Sequence, residues 1–143
     1  MFELERTYNK NYCYNNLLEL AKNGTLLPYL NSKNKFIKSK DNKFYYLFSL
    51  DSSFYDVDIP FKFNLYIRQK ILKEKENSID LLFTYKTEDN IVINQYLYAN
   101  PQNFTIKFKY DLDNDKFFHK IVIDIIILSC LNWIENLDLL SIK

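Results

Sequence analysis

One segment constrains the fold of this chain more than any other, because it predicts an unusually apolar helix from Asn114 to Leu140. Its central part, His119 to Glu135, reads HKIVIDIIILSCLNWIE. On a helical wheel, one broad face of this helix predicts packing against the rest of the protein. The members of that face are Phe118, Val122, Ile125, Ile126, Ser129, Trp133 and Leu137.

The opposite face of the predicted helix is only partly polar. Its polar members are Lys120, Asp124, Asn132, Glu135 and Asp138. Its apolar members are Ile121, Ile127, Leu128 and Leu131. A helix that packs on its own domain with one stripe and stays apolar on the other is expected to have a second neighbour, which is a ligand, another subunit or a partner protein. These apolar residues are therefore interface candidates.

The first third of the chain predicts one strand and two helices. Phe2 to Tyr8 alternates in the manner of a strand. A helix follows, capped by Asn11 or Asn15 and ended by Gly24, and a second, short helix covers Thr25 to Leu30.

From Phe36 to Tyr110 the apolar residues recur at every second position, which is typical of β-strands. The connections KEKENS, TEDN and NPQN are short and polar, so they favour antiparallel hairpins. This order predicts an α+β fold in a single domain that covers residues 1–143. We expect a curved antiparallel sheet of about six to seven strands, wrapped on the long C-terminal helix.

The order of elements, from the strand FELERTY to the helix FFHKIVIDIIILSCLNWIENL, resembles the START and Bet v 1-like (SRPBCC) helix-grip superfamily. The glycine-rich turn that many members carry between their second and third strands is replaced here by KSKDNKF. The resemblance implies an apolar cavity between the sheet and the helix. Members use this cavity for lipids, sterols or polyketides, and some use it for no ligand.

Composition and charge narrow the class of protein. The 17% aromatic content, with 12 Tyr and 12 Phe, excludes a disordered chain. A net charge of +1 gives no overall attraction to nucleic acid or to an anionic membrane, so neither is an expected partner. The start MFELERT lacks the layout of a signal peptide, and the apolar stretch Ile121 to Ile134 is too short to span a bilayer. We expect a cytoplasmic protein, or a particle subunit made in the cytoplasm, from a low-GC genome such as that of a phage.

The sequence contains no recognisable catalytic constellation. His119 is the only histidine, and the single glycine excludes a glycine-rich phosphate loop. Cys13 and Cys130 lie in predicted helices without CxxC spacing, which predicts buried, reduced thiols. A Cys13–His119 nucleophile pair remains open as an alternative, although nothing in the sequence brings the two together. We therefore predict a protein that is not an enzyme and has no cofactor.

The run DLDND resembles the start of a calcium-binding loop. Asp111, Asp113 and Asp115 match its first three ligand positions, but Lys116 and Val122 stand where the loop needs Gly and Glu. Capping of the following helix by Asn114 or Asp115 is the favoured interpretation, and no metal site is predicted.

Two basic stretches predict a charged sheet surface. They are Lys33 to Lys43 and the region that carries Lys62, Arg68, Lys70, Lys73 and Lys75. With Tyr45 and Tyr66 between them, they could form an RNA-facing surface. An ordinary solvated sheet face has the same sequence, and the scarcity of Arg favours that interpretation.

The outward positions of the strands are more apolar than a solvated face requires. They include Leu47, Leu82, Val92 and four tyrosines, Tyr45, Tyr66, Tyr96 and Tyr98. The tyrosines are interface candidates, since contact surfaces favour Tyr. A bias toward aromatic residues across the whole chain is the alternative explanation.

The inward positions contain polar exceptions, namely Arg6, Tyr46, Tyr85, Gln95 and Tyr110. Such residues either satisfy one another within the core or line a cavity whose few polar groups orient an apolar ligand. The pocket candidates are Arg6, Tyr46, Tyr85, Gln95 and, on the helix, Trp133. In that case Arg6 would supply a fixed cation for an acidic headgroup.

The leading hypothesis is a non-enzymatic protein that works by protein–protein contact or self-association. It would be an assembly subunit of a phage particle or secretion machine, or a small protein that neutralises a partner. The alternative is a helix-grip protein that binds an apolar small molecule or lipid between the sheet and the C-terminal helix.

Overall fold

The computed structural model describes residues 1–9, 14–23, 34–40, 43–51, 62–87, 89–112 and 117–135. The strands within these ranges are β1 (Phe2–Tyr8), β2 (Asn34–Lys40), β3 (Lys43–Asp51), β4 (Lys62–Lys75), β5 (Ser78–Thr87), β6 (Val92–Ala99) and β7 (Phe104–Tyr110). The helices are α1 (Tyr14–Asn23), between β1 and β2, and α2 (Phe117–Glu135), after β7.

The strands form one sheet in the order β1-β7-β6-β5-β4-β3-β2, and every neighbouring pair is antiparallel. From β2 to β7, consecutive strands lie side by side, as the short polar connections predict. In the turn after β5, Asn90 has a φ of 63° and donates its backbone N–H to the Thr87 carbonyl, 3.1 Å away. Asn tolerates this left-handed conformation better than most residues. The α+β class with an antiparallel sheet is confirmed.

One face of the sheet carries the hydrophobic core. On β5 the buried side chains alternate, and Ile79, Leu81, Phe83 and Tyr85 are all fully buried. Pairing aligns Leu81 with Leu97 on β6, so each inward residue meets apolar neighbours on the next strand.

Both helices pack on this same face. From α1 come Tyr14, Leu17 and Ala21. From α2 come Val122, Ile123, Ile125, Ile126, Ile127 and Cys130. The Gln69 side chain on β4 donates Nε2 to the Ala21 carbonyl oxygen at 2.9 Å, which fixes α1 over β4. Cys130 of α2 and Tyr85 of β5 both belong to the core that lies between this helix and the sheet.

Helix α2 has a narrow exposed stripe. Lys120, Asp124 and Leu128 are exposed and recur every four residues, as the helical period requires. Ile121 and Leu131 flank this stripe and pack partly buried against the core. Neither described helix is long and apolar enough to cross a membrane.

Several predicted features lie outside the described residues. They are the short helix from Thr25 to Leu30, the caps at Asn11 and Gly24, Cys13, and the residues Asp113 to Asp115 of the DLDND run. The same holds for the outer ends of the predicted C-terminal helix, residues 114–116 and 136–140.

Candidate functional site

The face of the sheet opposite the helices is the main exposed surface of the described residues, and we call it the outer face. Its described members on β4 to β6 are Tyr66, Arg68, Lys70, Lys73, Lys75, Ser78, Asp80, Leu82, Thr84, Lys86, Val92, Asn94, Tyr96 and Tyr98. Those on β7 and β1 are Thr105, Lys107, Lys109, Glu3, Glu5 and Thr7. They alternate with the core residues along each strand, so one set is buried and the other is not.

Large apolar and aromatic side chains on the outer face are open to solvent. Tyr66 is 46% exposed, while Tyr98 and Val92 are each 38% exposed. Leu82 and Tyr96 lie between them and are partly buried by their neighbours. A sheet face with this content is more apolar than solvation alone requires.

Two tyrosines form an ordered aromatic pair on β6. The rings of Tyr96 and Tyr98 stack with their centroids 6.1 Å apart and their planes inclined by 11°. The Lys109 Nζ lies 5.3 Å from the centroid of the Tyr96 ring, within the range of a cation–π contact. Burial raises the pKa of the Tyr98 hydroxyl, and Tyr96, Asp80 and Glu5 add to the shift. The Tyr98 hydroxyl therefore stays neutral at physiological pH and can donate a hydrogen bond.

Charges on the outer face are paired at the β1 edge. Glu3 lies 3.8 Å from the Lys107 ammonium and 3.7 Å from that of Lys109. Such exposed pairs contribute little to stability, but they leave this part of the surface close to neutral.

The β4–β5 half of the outer face has a different balance of positive and negative charges. It carries five cations, Arg68, Lys70, Lys73, Lys75 and Lys86, against one carboxylate, Asp80. No ion pair between described residues involves any of the five cations. This half is therefore positively charged and retains its capacity to bind anions.

The interface residues predicted on the C-terminal helix are distributed unevenly. Leu128 is 59% exposed, whereas Ile127 is only 6% exposed and belongs to the core. Ile121 and Leu131 are partly buried. The apolar surface that α2 offers is thus smaller than the wheel predicts, and it centres on Leu128. The side chain of Tyr45, the remaining interface candidate, lies outside the described part of the structure.

Of the predicted pocket residues, Tyr85 and Gln95 come together, and Arg6 lies apart from them. Tyr85 and Gln95 are fully buried, and the Tyr85 hydroxyl donates a hydrogen bond to Gln95 Oε1. Arg6 is exposed on the edge strand β1, where its guanidinium Nη1 donates to the Glu5 carbonyl oxygen at 3.3 Å. The side chains of Tyr46 and Trp133 lie outside the described residues.

A cleft of about 450 Å³ lies between α1 and β4, and sequence reasoning missed it. It is lined by Lys22, Ile71, Leu72, Lys73 and Glu74. A β-bulge between Ile71 and Lys73 breaks the alternation there. The adjacent apolar pair Ile71–Leu72 was the signal that could have revealed it. The ammonium of Lys22 and the carboxylate of Glu74 are 3.3 Å apart, so these two charges of the cleft pair with each other.

Cys130 is a core residue rather than a reactive thiol. Burial raises its pKa from 9.0 to about 12, and a hydrogen bond with Tyr85 offsets only part of this shift. A nucleophilic cysteine needs a lowered pKa, so Cys130 is unsuited to that role.

The raised pKa predicts a loss of stability in alkaline solution. Above pH 9.0 the thiol ionises in the unfolded protein, whereas in the folded protein it keeps its proton up to its pKa of about 12. The free energy of unfolding therefore keeps its full value below pH 9.0 and falls between pH 9.0 and about 12. We expect Cys130 alone to lower the free energy of unfolding by about 1.4 kcal/mol at about pH 10 relative to neutral pH. Urea unfolding at both pH values should show this loss, and Cys130→Ala should remove it. An identical pH dependence in the two proteins would contradict the prediction.

The described residues contain no group of three or more His, Cys, Asp or Glu side chains that could hold a metal ion. Comparison with known proteins gives no significant match to a family model, to a curated protein sequence or to a solved structure.

Proposed function

We propose that this protein acts by binding another protein through the outer face of its sheet. The observation that carries the proposal is the exposed set Tyr66, Val92 and Tyr98, with Leu82 and Tyr96 between them. Tyr is enriched at protein interfaces because it buries much area for few rotatable bonds. The activity would be that of a non-enzymatic assembly subunit or of a small protein that neutralises its partner.

The sheet gives this surface a fixed shape. The strands that carry it are hydrogen-bonded on both sides, since β4 to β7 are all interior strands. The side chains Thr84 and Asn94 add a cross-strand hydrogen bond of 3.0 Å within the outer face. A preorganised surface loses little conformational entropy on binding, which favours affinity.

A photo-reactive residue placed on the outer face tests the proposal. We would introduce p-benzoylphenylalanine at Tyr66 or at Tyr98 and irradiate the cells that carry the gene. Matched control positions are Glu19 on α1 and Lys120 on α2, both exposed on the helical side. We expect one protein adduct of defined mass from both outer-face positions and none from the controls.

The partner identified in this way is then purified and its affinity measured. Tyr98→Ser should weaken binding by at least about tenfold, because interface tyrosines are frequent hot spots. Equal cross-linking from all four positions, or an unchanged affinity in Tyr98→Ser, would contradict the proposal.

The helix-grip alternative assigns the function to the opposite side of the sheet. In it the chain is related to the START and Bet v 1-like superfamily, about six to seven strands wrap α2, and an apolar small molecule lies between them. The favouring observation is the buried Nε2 of Gln95, which has no hydrogen-bond partner among the described residues. It ranks second because the Gln95 oxygen is already bonded to Tyr85.

A further inference from the structure

We infer that the partner presents an acidic surface and docks over the β4–β5 half of the outer face. This inference rests on the proposed function and specifies the chemistry of the partner. It concerns the five cations Arg68, Lys70, Lys73, Lys75 and Lys86 and the apolar side chains beside them, which we call the basic patch.

The strand pairing places the cations beside apolar side chains. Lys70 lies opposite Leu82, and Lys86 lies opposite Tyr66. Arg68 occupies the position between them on β4, opposite Thr84. The cations of β4 thus run along one side of Leu82, Tyr96 and Tyr98 on β5 and β6, an arrangement that fits a partner with carboxylates beside an apolar anchor.

The charge imbalance separates the basic patch from the rest of the outer face. Lys107 and Lys109 both lie within ion-pair distance of Glu3, and Glu5 supplies a second carboxylate opposite Lys107. No ion pair between described residues involves the cations of the patch. The pairing of β3 with β4 also sets Lys43 opposite Lys70, so the row of basic residues continues along the sheet. Uncompensated cations attract an acidic partner and speed its association.

A protein partner fits this surface better than a nucleic acid does. Leu82 and Val92 offer no flat surface for a base to stack on, and Tyr96 and Tyr98 stack on each other, so Tyr66 is the one described aromatic ring of the outer face outside that pair. Arg68 is the single guanidinium in the patch, although Arg is the preferred residue for phosphate. The net charge of +1 for the whole chain is also far from the basic balance of nucleic-acid-binding domains.

Selection of random 12-residue peptides displayed on phage tests the inference on the intact protein. We expect the enriched peptides to carry Asp or Glu beside Tyr or Leu. The double variant Arg68→Glu/Lys86→Glu should weaken their binding by at least about tenfold, since charge pairs across an interface couple strongly. Lys120→Glu reverses one exposed charge on the helical side, and it should leave the affinity within about twofold, as exposed charges far from an interface contribute little.

The milder variant Arg68→Gln/Lys86→Gln covers the case in which charge reversal prevents folding, and it should weaken binding less. Selected peptides that lack acidic residues, but whose binding requires Tyr98, would overturn the inference and leave the proposed function standing. Selection of no peptide that depends on Tyr98 would count against the proposed function itself. A 12-nucleotide oligouridine tests the alternative of nucleic acid. If it binds more tightly than any selected peptide, and if Arg68→Glu/Lys86→Glu abolishes this binding, the patch belongs to nucleic acid and the inference is overturned.

Discussion

The substitution Leu81→Ala is expected to lower the free energy of unfolding by about 2–5 kcal/mol. Leu81 is fully buried on β5, the central region of the sheet, and pairs with Ile71 on β4 and Leu97 on β6. Removing its side chain opens a cavity between apolar neighbours on both sides. Because the hydrogen-bonded strands hold these neighbours in place, the cavity can collapse only in part. Urea unfolding monitored by circular dichroism measures the loss.

The next residue along the chain supplies the control. Leu82 has the same side chain but points to the outer face, where it is only partly buried. Leu82→Ala should therefore cost less than about 1.5 kcal/mol, since little contact is lost. The same variant should weaken binding of the partner, because Leu82 is one of the apolar side chains of the basic patch. Equal destabilisation by the two substitutions would show that the faces of the sheet are assigned wrongly.

This pair of leucines also shows why most of the sheet was predictable. Two adjacent identical residues cannot be distinguished by composition, yet the period-two alternation assigns Leu81 to the core and Leu82 to the outside, as the structure has them. The alternation likewise assigns Tyr66 and Tyr98 to the outer face, where both are exposed. Their role in an interface remains a prediction.

The burial of a side chain was harder to predict where it depends on neighbouring helices and strands. The wheel put Ile127 on the exposed side of α2, but it is buried. A wheel gives the angle of a residue and does not show how far other elements reach around the helix. Alternation put Arg6 inward, and it is exposed because β1 is an edge strand with a neighbour on one side only. The charge balance on the other half of the outer face depends on β1 lying beside β7, and the order of elements along the chain does not predict this pairing.

The second large effect is expected for Tyr85→Phe, which should destabilise the protein by about 1–3 kcal/mol. Tyr85 is fully buried, and its hydroxyl donates to Gln95 Oε1. Burial raises the pKa of this hydroxyl well above its usual value, and the nearby Cys130 adds to the shift, so the hydroxyl keeps the proton that it donates. Since Gln95 Nε2 has no partner among the described residues, removal of the hydroxyl would leave the whole buried amide without a hydrogen bond.

The reciprocal substitution, Gln95→Leu, should cost less than Tyr85→Phe. It removes an amide that is only half satisfied, and the Tyr85 hydroxyl keeps Cys130 as a hydrogen-bonding neighbour. The double variant Tyr85→Phe/Gln95→Leu should then lose less free energy of unfolding than the two single losses added together. We expect the difference, which is the coupling energy of the pair, to be about 1 kcal/mol or more. Urea unfolding of the four proteins completes the cycle. Additive effects would mean that the two polar groups do not bond to each other in solution. They would then be available to a ligand between the sheet and α2, and the small-molecule alternative would gain over the protein interface.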